Sequence, residues 1–215
     1  MEKPTDKQIE NLLTQNIVSI KDFPYEIIIK SIFNKKVKKF DTDKNKICLN
    51  RMAQAMKDIC KKSESIRKSR RNEVGNAMEN IVILALNRYK LSAEKPKTSK
   101  GKNKTTGYPD IKIKTSDTPI YLEVKTYEKK NYQTSFRSFY FSPSKDPKID
   151  AFHLLVGFEI IEKDNNFIPV AFELLDLYGL KCDLKYEFNS NNRRLYNKKH
   201  ILIRGDKNCF KGMRL

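Results

Sequence analysis

The sequence predicts an α/β fold in which a helical and basic N-terminal region precedes a part of the chain that is rich in strands. Apolar residues recur at helical spacing in the N-terminal part, whereas further along they alternate or form continuous runs. The 215 residues, 39% of them hydrophobic, suffice for one sizeable core. We therefore expect a single domain over residues 1–215, made of a helical region (1–71), a central core (72–161) and C-terminal strands and loops (162–215).

Three segments of the N-terminal region have the apolar spacing of amphipathic helices, namely residues 5–20, 24–33 and 51–71. The apolar face of the third consists of Met52, Ala55, Met56 and Ile59. The basic end of this segment, Lys61–Arg71, has two interpretations: a solvated helix end, or a surface that contacts phosphates.

A fourth helix is predicted over residues 72–89. Its middle, IVILAL (81–86), is apolar on every side, which predicts a buried helix. Glu79 precedes this run and shares a helical face with Ile83 and Leu86. A carboxylate in that position is costly unless it is paired or binds a cation. An ion pair with a basic residue of the preceding segment is the structural alternative to a functional role.

The lysine-rich stretch 92–107 lacks periodicity and is predicted to be a loop. It is either a disordered linker or a cationic flap over the segment that begins at Tyr108. Four later segments are predicted to be strands: 135–141, 151–161, 167–177 and 200–204. The apolar run 151–161 is typical of a strand covered on both faces, and Pro169 is expected to keep the start of the next strand at a sheet edge.

The segment YPDIKIKTSDTPIYLEVK (108–125) predicts an antiparallel hairpin that turns at Ser116-Asp117. Its alternating residues pair apolar with apolar across the two strands, and a shift of one residue would break this pattern. The expected pairs are Ile113 with Ile120, Ile111 with Leu122 and Lys112 with Tyr121. A shift of two residues keeps the same faces, so the pattern fixes the face of each residue more firmly than its partner.

This register gathers three ionisable residues at one end of the hairpin. Asp110 comes to lie opposite Glu123, and Lys125 shares their face because it follows Glu123 by two residues. Two neighbouring carboxylates repel each other, and a divalent cation removes that repulsion; oxygen ligands suit Mg²⁺. Lys125 beside the metal can position or help to deprotonate a water, so the group suits phosphodiester hydrolysis.

The net charge of +18 makes a polyanion the first partner to consider, although a soluble protein from a lysine-rich proteome has the same composition. No run of about 18 apolar residues is present, and the polar start lacks a signal core, which favours a cytoplasmic location. Two histidines, and four cysteines without metal-site spacing, argue against a Cys/His zinc site. No phosphate-binding GxxxxGK[ST] loop occurs, which argues against a nucleotide-driven enzyme.

The pattern of Pro109-Asp110, twelve intervening residues and then Glu123-Val124-Lys125 resembles the motif of the PD-(D/E)xK nucleases. Other (D/E)xK triplets occur in this chain, but only this one lies on an alternating strand just after the single Pro-Asp. Gly75 and Glu79 resemble the glutamate-bearing helix that precedes the motif in many members. The chain is similar in size to type II restriction endonucleases.

This resemblance implies a restriction-endonuclease-like core, a mixed sheet flanked by helices, with residues 72–161 as its catalytic part. It also implies a homodimer that cuts double-stranded DNA at a short palindromic site and depends on Mg²⁺, leaving a 5′ phosphate and a 3′ hydroxyl. Asp110, Glu123 and the backbone carbonyl of Val124 would hold Mg²⁺, and Lys125 would act on the attacking water. Glu79 would orient the lysine or a water, or help to hold a second cation.

DNA contacts are expected from the basic and amide residues of four segments, 61–71, 95–104, 125–137 and 191–194. Arginine and lysine suit phosphates and guanine, and Asn and Gln suit adenine, although each of these residues also occurs as an ordinary polar loop residue. The candidates are Arg70, Arg71, Lys102, Lys104, Gln133, Arg137, Asn192 and Arg193.

Two other functions agree with the same residues. A Holliday junction resolvase or repair nuclease of the same superfamily would cut structured or damaged DNA with little sequence preference. A nucleic-acid-binding protein without catalysis would carry the hairpin carboxylates merely as surface residues. Cleavage of plain duplex DNA, and its dependence on Mg²⁺, separate the three functions.

Overall fold

The computed structural model describes residues 7, 22–62, 66–67, 71–97, 108–132, 134, 149–164 and 166–183. Contacts divide the chain into two compact units, one of residues Lys21–Cys182 and one that joins Met1–Ile20 to Asp183–Leu215. All elements below belong to the first unit. Apart from Lys7, the predicted helix 5–20 lies outside the described residues, as do the predicted strands 135–141 and 200–204. The expectation of a single domain over the whole chain stays a prediction.

The described elements comprise three α-helices, a short 3₁₀ helix and nine strands. The helices are α1 (Tyr25–Phe33), α2 (Lys46–Lys62) and α3 (Arg71–Arg88), and the 3₁₀ turn is Lys129–Asn131. The strands are β1 (Phe23–Pro24), β2 (Val37–Lys38), β3 (Ile66–Arg67), β4 (Ser92–Glu94), β5 (Ile111–Lys114), β6 (Ile120–Tyr127), β7 (Ala151–Lys163), β8 (Asn166–Asp176) and β9 (Lys181–Cys182).

A seven-stranded mixed sheet forms the centre of this unit. Six strands follow the order β3-β8-β7-β6-β5-β4, and β2 pairs with the start of β7. The pairs β6–β7 and β2–β7 are parallel, whereas the other pairs in this sheet are antiparallel. The short strands β1 and β9 form a separate antiparallel pair. A mixed sheet with helices against it confirms the predicted fold class.

The larger core lies between one face of this sheet and the helices α2 and α3. The predicted apolar face of the third segment is confirmed, since Met52, Ala55, Met56 and Ile59 are all buried on α2. The predicted extent of this helix was wrong: α2 begins at Lys46 and ends at Lys62, and residues 66–67 form a strand against β8.

The fourth predicted helix is confirmed as α3, but the expectation that it is buried all round was wrong. Val82, Ala85 and Leu86 face the core, whereas Leu84 is 60% exposed. The helix therefore lies on the sheet with one side towards solvent, and its uniformly apolar middle does not reveal which side that is. No helix in the described part of the chain is long and apolar enough to cross a membrane.

The predicted hairpin register is confirmed, because Ile111 pairs with Leu122, Lys112 with Tyr121 and Ile113 with Ile120. Alternating apolar residues fix this register by turning toward the core between the sheet and the helices α2 and α3. The prediction of a loop over residues 92–107 was wrong for its first three residues. Residues Ser92–Glu94 form β4, which pairs with β5, and residues 98–107 lie outside the described part.

The two long strands after the hairpin are confirmed as β7 and β8. Burial of β7 continues to Ile160 and ends at Ile161, which is 47% exposed. Pro169 lies opposite Ile160, where the pairing of the two strands shifts by one residue. Strand β3 pairs with Asn166 and Phe167, so the expected edge does not include the first two residues of β8. Pro169 lies beyond the residues that β3 covers, as expected of a proline in a strand.

Candidate active site

The carboxylate of Asp110 is fixed to the neighbouring strand by a main-chain donor. Asp110 immediately precedes β5, and the backbone N–H of Val124 on β6 donates a 2.8 Å hydrogen bond to its Oδ2. The paired residues of the two strands end one residue after Asp110, at Ile111 with Leu122, so the expected pair of Asp110 with Glu123 is not part of the ladder. The aspartate is held instead against Val124, the residue between Glu123 and Lys125.

Glu123 and Lys125 lie on the sheet face opposite to the core formed with α2 and α3. Leu122 and Val124 belong to that core, and alternation along β6 turns Glu123 and Lys125 to the other side. The Lys125 ammonium donates a 2.7 Å hydrogen bond to Glu123 Oε1. The side chain of Glu123 is 2% exposed and that of Lys125 is 30% exposed. The pair thus has a buried carboxylate and an ammonium that reaches solvent.

Glu79 joins this group from α3. Burial raises the pKa of its carboxyl and the nearby Asp110 carboxylate raises it further, whereas Lys95 and Lys125 lower it. Glu79 thus lies within electrostatic range of Asp110 and Lys125. Hydrogen bonds at β6 link Asp110, Glu123 and Lys125 more directly, and the catalytic roles of all four side chains stay predictions.

The direct partner of Glu79 was missed by the sequence analysis. Lys95, just after β4, donates a 3.1 Å hydrogen bond to Glu79 Oε2, and both side chains are partly buried. Glu79 is thus in an ion pair, as its structural alternative anticipates, but the cation comes from the segment after α3 rather than from the segment before it. Lys95 lies among several lysines of a stretch without periodicity, so no pattern distinguishes it from its neighbours.

A second, smaller core lies on the same sheet face as Glu123 and surrounds the buried His153. The hydroxyls of Tyr108 and Tyr25 lie 2.7 Å and 3.2 Å from its Nδ1, and the ring of Tyr121 lies against it edge-on. Burial raises the pKa of both Tyr25 and Tyr108, so these hydroxyls stay protonated. This core fixes Tyr108, two residues before Asp110, and so supports the entry to β5.

We expect the folded protein to lose stability as the pH falls because of His153. Burial lowers the pKa of its imidazole to about 3, whereas an unfolded histidine titrates near 6.5. Between these two values only the unfolded chain takes up this proton, so the free energy of unfolding decreases with falling pH, by up to about 1.4 kcal/mol per pH unit.

Urea denaturation at several pH values between 4 and 8 measures this slope, and His153→Gln is the comparison because it cannot take up the proton. The difference in unfolding free energy between the two proteins should shrink or reverse as the pH falls below about 6.5. A difference that does not vary with pH would contradict a buried neutral imidazole.

The donor set fits a hard divalent cation. Among the described residues, no three His, Cys, Asp or Glu side chains are grouped closely enough to hold a metal by themselves. Mg²⁺ does not need such a cage, because it is commonly bound by one or two carboxylates together with waters and substrate phosphates. Asp110 and Glu123 offer two carboxylates of this kind on adjacent strands.

The residues proposed to contact DNA are not described, with one partial exception. Arg71 is the first residue of α3, but its side chain lies outside the described part. The other candidates also lie outside it, namely Arg70, Lys102, Lys104, Gln133, Arg137, Asn192 and Arg193. Their roles stay predictions. Of the cysteines, Cys48 and Cys60 are partly buried, and burial raises the pKa of both thiols.

The mixed sheet and its carboxylates and lysines are the features expected of a nuclease, and comparison with known sequences identifies the relatives of this chain. The family model of the type II restriction enzyme MjaV family matches residues 18–199 of this chain. The type II restriction enzyme MjaV of Methanocaldococcus jannaschii is 35% identical over 222 residues, which cover 93% of this chain and 96% of that protein. No solved structure matches the chain significantly.

The chain belongs to the type II restriction enzyme MjaV family. The match covers most of the chain, including both strands of the hairpin and the helix that carries Glu79. The prediction of a type II restriction endonuclease is thereby confirmed.

Proposed function

We propose that this restriction endonuclease belongs to the PD-(D/E)xK nucleases and hydrolyses double-stranded DNA with Mg²⁺ at a short palindromic site. The observation that carries the proposal is the pair of contacts on β6: Val124 N–H to Asp110, and Lys125 to Glu123. Together they hold two carboxylates and an ammonium on one stretch of strand. A charged hairpin without a catalytic role does not require a nearly buried glutamate beside a partly exposed lysine.

In this proposal, Asp110 and Glu123 hold Mg²⁺ with help from the backbone carbonyl of Val124. When bound, the ion polarises the phosphate and offsets the negative charge that develops during attack. Glu123 already lies in a setting of low exposure, where electrostatic interactions are stronger than in water. A cation bound by both carboxylates would offset the repulsion between their charges.

Lys125 positions the attacking water and the phosphate. Its bond to Glu123 restricts the ammonium to the strand surface, and its exposed part can donate to an incoming oxygen. The water oxygen bonds to phosphorus as the bond from phosphorus to O3′ breaks, and the bonding electron pair stays on O3′. One water proton leaves on attack and O3′ gains one proton, so the products are a 5′ phosphate and a 3′ hydroxyl.

The partners follow from charge and symmetry. The net charge of +18 favours association with the DNA backbone. A palindromic site has two-fold symmetry, and two active sites related by the same symmetry cut both strands, so we propose a homodimer. A restriction enzyme has to meet DNA inside the cell, and we therefore propose a cytoplasmic location.

Digestion of supercoiled plasmid with Mg²⁺ tests this function. We expect discrete linear fragments that disappear when EDTA removes the metal and return when Mg²⁺ is restored, because both carboxylates need a cation to act together. Equal cutting with and without EDTA would contradict the metal-dependent mechanism. Resistance of plain duplex combined with cutting of four-way junctions would instead identify a resolvase.

A further inference from the structure

Lys95 contacts Glu79 directly, and its position is fixed by the sheet. It follows β4 directly, and β4 pairs with β5, the strand that Asp110 precedes. The Nζ atom lies 3.1 Å from Glu79 Oε2, and the exposed fractions of the two side chains are 26% and 18%. Removing two charges from water, even in part, has a cost that a well-formed ion pair offsets.

The candidate active site therefore contains two carboxylate–ammonium pairs rather than one. Lys125 bonds to Glu123, and Lys95 bonds to Glu79. Asp110 belongs to both groups: it accepts the Val124 N–H beside Glu123, and its charge acts on Glu79. Because Lys95 occupies Glu79 Oε2, a metal ion that bound this carboxylate through Oε2 would first have to displace the lysine.

We propose that Lys95 supplies a second positive charge in the active site, in addition to Lys125, and that Glu79 holds Lys95 in place. This charge would take the role that a second metal ion can have in a metal-dependent nuclease. The proposal rests on the function proposed above. Its ammonium would donate to an oxygen of the scissile phosphate or to O3′, where negative charge grows as the bond breaks. Lys95 transfers no proton in this scheme, and Glu79 acts as the residue that positions it.

The rate of cleavage within the bound complex tests the charge of Lys95. We expect Lys95→Ala to lower the single-turnover rate at saturating DNA and Mg²⁺ by about 10-fold to 100-fold. Lys95→Arg, which keeps the charge, should retain most of the rate. Added ethylammonium should partly restore Lys95→Ala, because the small cation can enter the space that the side chain leaves. A lysine needed only for folding would not respond to the added amine.

Metal binding without DNA provides a readout that does not depend on activity. Removal of the ammonium frees Glu79 Oε2, on which the negative charge of Asp110 also acts, so Lys95→Ala should bind one more Mn²⁺ per chain than the wild type. The count is taken from the free Mn²⁺ signal in electron paramagnetic resonance. An equal count in both proteins, together with an unchanged cleavage rate, would overturn the proposal.

Lys114→Ala is the matched control. Lys114 also pairs with a glutamate of the β4 region, Glu94, at 3.0 Å, but both side chains are more exposed. We expect no change in its rate or Mn²⁺ count. Asp110→Asn distinguishes failure of the proposed function from failure of the proposal for Lys95. If Asp110→Asn cuts DNA normally, the proposed function is wrong. If Asp110→Asn is inactive and Lys95→Ala cuts DNA normally, only the role proposed for Lys95 is wrong.

Discussion

Asp110→Asn should reduce the rate of DNA cleavage by about a thousandfold or more while leaving DNA affinity nearly unchanged. The substitution keeps the size of the side chain, and the amide oxygen can still accept the hydrogen bond from Val124 N–H. What disappears is the negative charge that would hold Mg²⁺. Affinity depends mainly on contacts with phosphates, to which a single carboxylate contributes little.

Single-turnover cleavage and a binding titration in the presence of Ca²⁺ or EDTA measure the two quantities separately. Asp117→Asn is the matched control, because Asp117 lies exposed in the turn of the same hairpin and away from Glu123. It should cut at the wild-type rate. A comparable loss of rate in both variants would mean that the hairpin tolerates no such change, and would remove the reason to assign Asp110 to the metal.

Lys125→Ala should lower the cleavage rate by about a hundredfold to ten-thousandfold, with little change in affinity. The ammonium bonds to Glu123 at 2.7 Å and its side chain is only 30% exposed. It is therefore placed for the reaction rather than for general attraction of DNA. The rate should fall at saturating Mg²⁺ as well, because the lost group is not a metal ligand.

The triplet Glu128-Lys129-Lys130 offers a close control for this experiment. Lys130 bonds to Glu128 at the same 2.7 Å distance and with the same spacing along the chain, but its side chain is 71% exposed. Lys130→Ala can weaken DNA binding without changing the rate within the complex. If Lys125→Ala instead loses binding and cutting in equal measure, Lys125 is a phosphate contact.

The hairpin could be predicted in detail because two constraints agree. Apolar residues at alternate positions fix which face is buried, and a turn at Ser116-Asp117 then gives the pairs Ile111 with Leu122 and Ile113 with Ile120. The same register places Glu123 and Lys125 on one face, whereas Asp110 lies just outside the paired residues. Spacing also predicted α2 and α3, whose buried residues recur every three or four positions.

The second ion pair could not be predicted, for a physical reason. Strand β4 is three residues long and turns a single side chain, Ala93, into the core. So short a strand has no detectable period, and Lys95 follows it among other lysines. The link between Lys95 and Glu79 arises from the pairing of β4 with β5, which is a tertiary feature.

The surroundings of His153 were hidden for a related reason. Its partner Tyr25 is on α1, 128 residues earlier in the chain, and Tyr108 is 45 residues earlier. Such long separations along the chain cannot be inferred from local residue spacing, because sheet pairing and helix packing bring these residues together. The exposure of Leu84 has the same origin, since only the contacts of α3 decide which side of an apolar helix faces water.

The bond from Val124 N–H to Asp110 has a consequence for sequence variation. A main-chain donor survives nearly every substitution of the residue that bears it, with proline as the exception. Substitution of the Val124 side chain should therefore affect only the packing of the hydrophobic core, whereas its neighbours Glu123 and Lys125 face the candidate active site. Neighbouring positions on β6 are thus subject to different constraints, and the core can be repacked at Val124 while the residues proposed for catalysis stay the same.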